Sequence, residues 1–246
     1  MEGNQLIKKK IILAIILAAT SLTGAWSQEM VLQLDVDSIP GSGNFGPNRR
    51  HFRHLFVEMG LAIPYPTTEG NLIKVPHSGS LALGYRYKLK VINPLAVILE
   101  GGLSKSSFRL TQFEGKSFPD SEIHDRQTLH LCRASAGLAL RFRFGQKGDY
   151  LGNYLDLGAR EVLLLGSRLV EIDPGNSESG DWYRKKRQVY SGLDYAQRWV
   201  PELFARIGLN RIAITAAYRM GPIFRETVPV DLPKITAGVE FALVRY

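Results

Sequence analysis

The sequence predicts an all-β fold: a closed antiparallel transmembrane β-barrel of about eight strands, wound as an up-and-down meander. Three observations predict it. Segments of about ten residues alternate between apolar and polar side chains, the period of a strand with two unlike faces. The connections between them alternate in length, short at one end and long at the other, as in membrane barrels. The chain opens on a basic and then apolar stretch of the kind that directs export.

That leader comes first. Lys8, Lys9 and Lys10 precede the apolar run Ile11 to Ala19, and Ala25-Trp26-Ser27 supplies the small residues a signal peptidase reads. The run is too short for a comfortable membrane span. Residues 1–27 are therefore expected to be a signal peptide, with Gln28 first in the mature chain; a signal anchor is the alternative. Residues 28–53 read as an N-terminal extension, with a short strand at Val31 to Val36 and loop chemistry from Gly41 to Asn48. Gly41, Gly43 and Gly46 match a dinucleotide fingerprint only as a string, because no helix follows.

Residues 54–246 read as the barrel. Strand one is Leu55 to Ile63, ended by Pro64-Tyr65-Pro66. Strand two is Ser80 to Val91, with Leu81, Leu83, Tyr85, Tyr87 and Leu89 on one face and Arg86, Lys88 and Lys90 on the other. Asn93-Pro94 turns the chain. Strand three starts at Leu95, and Lys105 to Gln127 reads as a long polar connection. Strand four is about Thr128 to Phe144 and strand five about Tyr150 to Leu165, joined by a short turn. The alternation breaks at Glu161 to Leu165, which predicts a bulge. The longest loop spans roughly Gly166 to Ala196. Strands six and seven, Arg198 to Leu209 and Ile212 to Met220, flank Asn210-Arg211, and strand eight runs from Ile235 to Tyr246.

Which face meets solvent decides between two architectures. A soluble lipocalin-like cup would turn its apolar face inward. Here the polar faces are rich in glycine and alanine as well as charge, which suits a cramped interior, and a strand leads directly to the terminal aromatic Tyr246. These features favour apolar outside and charged inside. The leader, the alternating segments and the ending Gly238 to Tyr246 together resemble the small outer-membrane β-barrels of Gram-negative bacteria, the OmpA/OmpX-like eight-stranded class. The resemblance covers about His54 to Tyr246. It implies integral outer-membrane localisation, biogenesis through the barrel-assembly machinery, and contact with outer-membrane lipid and lipopolysaccharide.

An eight-stranded barrel is filled by side chains, and charges buried there need partners. A lumenal ion-pair network is expected from Glu58, Arg86, Lys88, Glu100, Arg133, Arg141, Asp156, Arg160, Glu202, Arg206, Arg219 and Glu240. Glu58 and Glu100 are expected on either side of Arg86, Glu240 near Glu58, and Glu202 opposite Arg219. Arg184, Lys185, Lys186 and Arg187, after Trp182-Tyr183 in the longest loop, are candidates for contact with anionic lipid.

The net charge of +8 falls to about +6 without the leader; it suits an anionic surface, and nothing points to nucleic acid. Cys132 is the only cysteine, which excludes an intramolecular disulfide and a cysteine-based zinc site. His124 and His130, near Ser121, Glu122 and Asp125, are the nearest thing to a hydrolase constellation, without a motif spacing. His51 and His54 lack metal-ligand spacing. No catalytic, cofactor or metal site is expected. The expected function is a non-enzymatic outer-membrane barrel with a charge-paired lumen, whose long extracellular loops engage the envelope or a protein partner. A lipid A-modifying hydrolase and an accessory barrel of a secretion or surface-assembly machine are the alternatives, with a narrow pore behind them.

Overall fold

The computed structural model describes residues 45–64, 73–113, 118–120, 122–144, 150–173, 186–193, 195–225, 228 and 231–244. The expected signal peptide, most of the extension, Ser121, Arg184, Lys185, Arg245 and Tyr246 lie outside the described residues, as does the side chain of Lys186. Nine strands are described: β1 (His51–Ile63), β2 (Gly79–Ile92), β3 (Leu95–Leu110), β4 (Arg126–Phe144), β5 (Asn153–Asp173), β6 (Lys186–Ser191), β7 (Trp199–Leu209), β8 (Ile212–Arg219) and β9 (Ile235–Leu243).

Eight of them form a closed antiparallel ring. Each strand pairs with the next along the chain, except that β5 passes over β6 to pair with β7. The ring closes where β9 pairs with β1, from Leu55 opposite Leu243 to Ile63 opposite Ile235. The connections β2–β3, β4–β5 and β7–β8 lie at one end, the short-connection end, and the longer ones lie at the other.

Burial assigns the faces. Along β2, Leu81 is 56% exposed and Leu83 54%, whereas Arg86 and Lys88 are 0% exposed. Leu55, Met59 and Leu61 on β1, Leu138 and Leu140 on β4, and Ile207, Ile212 and Ile214 on β7 and β8 likewise point outward. The ring therefore has an apolar exterior and a charged interior, the reverse of a water-soluble fold.

Several boundaries differ from the sequence reading. The barrel begins at His51 rather than His54, because Phe52 continues the inward row and His51 to Arg53 pair with Leu89 to Tyr87. Residues 45–50 also belong with it: Lys88 Nζ donates to the carbonyl of Pro47 at 2.6 Å and Arg143 to the side chain of Asn48. Strand β3 continues to Leu110 through the stretch read as polar connection, with Ser106, Phe108 and Leu110 inward. Strand β5 continues to Asp173, and its outer end, Arg168 to Asp173, pairs with β6 inside the stretch read as the longest loop. The register of β4 against β5 slips by one residue, Cys132 facing Gly166 and Arg133 facing Leu164, so Leu165 is the extra residue of a bulge.

The seam between β1, β9 and β8 leaves no room at Gly238, where an added Cβ would sit 2.3 Å from the carbonyl oxygen of Met59. The obstruction is backbone and cannot swing aside. Gly238→Ala should destabilise the folded barrel by about 1–3 kcal/mol, read as a lower urea midpoint in detergent. Gly166→Ala, where nothing lies within 4 Å of the new methyl, should leave the midpoint unchanged.

Candidate functional site

The interior is stacked in layers along the barrel. At the short-connection end Phe52, Leu151 and Ala242 pack together with Val244 against them, and His54 stacks on Phe52 with ring centroids 5.2 Å apart. His51 points to the opposite face, its Nδ1 2.6 Å from the Tyr87 hydroxyl. The two histidines do not converge, so they make no joint site.

Above this lies a ring of three arginines and three carboxylates. The strands supply the short links. Arg86 faces Glu100 across β2 and β3, Arg141 faces Asp156 across β4 and β5, and Asp156 faces Arg206 across β5 and β7. Arg141 donates to both oxygens of Asp156, Nε to Oδ1 at 2.7 Å and Nη2 to Oδ2 at 2.8 Å. Arg206 donates Nη1 to Asp156 Oδ2 at 2.9 Å and Nη2 to Glu100 Oε2 at 3.0 Å, and its Nε lies 3.0 Å from Glu240 Oε2. Arg86 closes the ring with two bonds of 2.7 Å to Glu240 and two more, at 3.1 and 3.0 Å, to Glu100. Bidentate forks of this kind are the strongest charge-assisted bonds the side chains make. The guanidinium carbons of Arg86, Arg141 and Arg206 lie 4.3, 3.7 and 4.9 Å from the ring centres of Phe56, Tyr154 and Phe204, so their faces are covered as well.

A second charged layer follows. Arg160 donates Nε to Glu202 Oε2 at 2.9 Å and lies 3.7 Å from Glu58 Oε2. Arg133 donates to Glu202 at 3.3 Å and to Ser106 at 2.7 Å, and Thr215 donates to Glu58 at 3.1 Å. Glu58 therefore does not share Arg86 with Glu100, contrary to the sequence reading. Register explains it: Glu58 lies opposite Ala82, four residues along from the partner of Arg86, and Glu240 reaches Arg86 instead. Arg219 stands opposite Glu202 in register. Its guanidinium turns to the outer rim, donating to Asp231 at 3.1 Å and to the carbonyl of Gly221 at 2.7 Å. The space left between the charged layers is a pocket of about 40 Å³ lined by Glu58, Ser104, Arg160 and Glu202, room for a water or two.

At the long-connection end the interior turns apolar. Ile73, Phe108, Leu110, Leu129, Leu131, Leu169, Ile223, Phe224 and Leu232 form a buried cluster, with Phe118 and Tyr195 packed on it. Over this cap sits a polar group that sequence reasoning did not assemble. His124 contacts Asp173 through Nδ1 at 2.5 Å and Asp120 through Nε2 at 3.2 Å. Burial lowers the pKa of His124, but the bonds to Asp173 and Asp120 outweigh it and raise it above the ordinary imidazole value. Glu171 and Asp173 were hidden because their segment read as loop. Ser107 Oγ lies 2.8 Å from His130 Nδ1 on the outer face. Among the described residues no carboxylate hydrogen-bonds to His130, so this pair lacks the third member of a hydrolytic triad.

Fold and interior together define a class: a closed eight-stranded barrel of inverted polarity with a charge-paired lumen. No family model matches the chain, and no curated protein matches it. Among solved structures the chain is similar to Ail, the attachment invasion locus protein of Yersinia pestis. The identity is 13%, the match covers 77% of this chain and 93% of that one, and the TM-score is 0.28. Strand pairing and the burial of the two faces define the fold.

Removing one partner from a buried ion cluster leaves the others uncompensated, at a cost of about 3–5 kcal/mol. Arg206→Met, which strips Asp156, Glu100 and Glu240 of a shared cation, should lower folding stability by that amount in a urea titration. Exposed Arg187→Ser should be neutral in the same titration.

Proposed function

We propose that the protein is a non-catalytic, integral outer-membrane barrel whose lumen is closed by paired charges and whose outer rim holds phosphate-bearing lipid. The observation that carries this reading is the inverted polarity: Arg86, Arg141, Arg206, Asp156 and Glu240 are each at most 1% exposed, while the leucines and isoleucines of the same strands face out. An apolar surface running around a closed ring is stable against hydrocarbon and not against water. Exposed aromatic residues flank it as interfacial anchors, Trp199 and Tyr218 toward the long connections, Phe142, Phe144 and Tyr150 toward the short ones.

The rim supports the lipid part of the reading. Lys105, Arg168 and Arg187 surround His130 closely enough to act on it electrostatically, and all three are exposed. They lie just beyond the apolar belt on β3, β5 and β6, where lipopolysaccharide phosphates of the outer leaflet would sit. Export through the expected signal peptide and insertion by the barrel-assembly machinery belong to the same proposal. The long connections are left to meet the envelope or a protein partner.

Three experiments test it. Reconstituted in planar bilayers, the protein should show no stable, wide ion conductance; open porin-like steps would sink the closed-lumen reading. Leu83→Arg, on the outer face opposite Val57 and Leu103, should destabilise the barrel in lipid by about 2–4 kcal/mol. A variant that inserts and resists extraction like wild type would overturn the face assignment. The triple variant Lys105→Ala, Arg168→Ala, Arg187→Ala should keep its fold and retain less lipopolysaccharide on purification.

A further inference from the structure

We infer that Asp120, His124 and Glu171 form a binding site for a divalent transition-metal cation of the Zn²⁺ type, which staples the β3–β4 connection to the outer end of β5. The donor atoms of the three residues all lie within 4.8 Å of one another. His124 Nε2 is 3.2 Å from Asp120 Oδ2 and 4.0 Å from Glu171 Oε2. Nitrogen and oxygen ligands at about 2.0–2.2 Å around a tetrahedral zinc stand about 3.3–3.6 Å apart. His124 and Asp120 already stand at that separation, and Glu171 must swing inward to complete the set.

The surroundings are those of a built site. Asp173 Oδ1, 2.5 Å from His124 Nδ1, holds the ring N–H on that side and turns Nε2 toward the two carboxylates, the arrangement a carboxylate gives a metal-bound imidazole. Gln127, fully buried, fixes the carboxylates themselves. Its Nε2 donates to Glu171 Oε1 at 3.0 Å and to Asp120 at 3.3 Å, while its Oε1 accepts from Gln112 at 2.8 Å, which sets the orientation of the amide. Glu171 is 3% exposed, and its second oxygen points at Nε2 from beyond hydrogen-bonding distance.

Two further facts call for a cation. Three carboxylates, Asp120, Glu171 and Asp173, converge on one imidazole, and Glu171 is buried, a pattern of charge that attracts a cation. Among the described residues the hydroxyl of Tyr195 is buried without a hydrogen-bond partner. It is within electrostatic reach of Glu171 and Asp120. A water on the open position of a three-ligand metal would give that hydroxyl a partner. The side chain of Asp120 is 37% exposed and that of Asp173 27%, so an ion can enter from outside the cap. The ligands come from one connection and the far end of β5, which is why the sequence carries no ligand spacing.

The test is calorimetric titration of ZnCl₂ into the full-length protein in detergent, with heat-modifiable gel migration confirming that each variant is folded. One equivalent should bind. Folded His124→Ala and Glu171→Gln should lose the site, and Asp173→Asn should weaken it about 10–100-fold. Ca²⁺ and Mg²⁺ at equal concentration should not displace the metal. Zinc-edge X-ray absorption of the wild-type complex, which needs no variant, should show one imidazole and carboxylate oxygens. Failure of the folded wild type to bind Zn²⁺, undiminished binding by folded His124→Ala, or a sulfur ligand in the absorption spectrum would overturn the inference.

Discussion

Arg206 is the contact on which the rest of the barrel depends. It is 1% exposed and its guanidinium touches Asp156, Glu100 and Glu240, carried by β5, β3 and β9. Those strands stand on different sides of the ring, so one side chain ties walls that share no backbone bond. With Arg86 and Arg141 it balances the three carboxylates one for one. In a low-dielectric interior such balance is what keeps the burial of charge affordable.

The same network specifies register. A strand slipped by one residue exchanges its two faces. In this barrel that exchange would move arginines onto the apolar exterior and leucines into a charged lumen, so the misregistered states are far worse than those of a fold with one neutral face. The layers at either end perform a different task. Phe52, Leu151 and Ala242 at the short-connection end, and the Ile73 to Leu232 cluster at the other, separate the ion pairs from bulk water. Water would otherwise compete for their hydrogen bonds and screen their attraction.

How much of this was legible follows from what a strand pattern can encode. Partners directly opposite each other on adjacent strands, such as Arg86 with Glu100 and Arg141 with Asp156, follow from alternation and turn positions alone. Links across the lumen do not. Arg206 to Glu100 and Arg86 to Glu240 depend on side-chain reach over a curved interior. Glu58 was misassigned because the long connection between β1 and β2 does not fix their register, which sets Glu58 opposite Ala82. The outer extensions of β3 and β5 were missed for another. Within the belt, apolar side chains face out. Beyond Leu103 the code inverts: Phe108 and Leu110 face in, while Lys105 and Arg109 face out. The solvent outside the wall has changed from hydrocarbon, in the proposed setting, to water, and a reader following one sign of alternation sees the strand end where only its surroundings do.

The bulge at Leu165 is placed at this inversion and carries it through on β5. Below it Asp156, Arg160 and Val162 point inward; above it Ser167, Leu169 and Glu171 do. Parity has switched from even to odd across one inserted residue. Were Leu165 absorbed into regular alternation instead of bulging out, Arg168 would enter the apolar cap, and Leu169 and Glu171 would leave it. With it, Leu169 joins the buried cluster, Arg168 stands on the basic rim, and Glu171 meets His124 and Asp120 above the cap. One unpaired residue thus couples the end of the ion-paired lumen to the two outer features, rim and polar cluster. The break in alternation from Glu161 to Leu165, which in the sequence looked like a flaw in a strand, is the point where the barrel changes from a wall with an apolar outer face to one with a polar outer face.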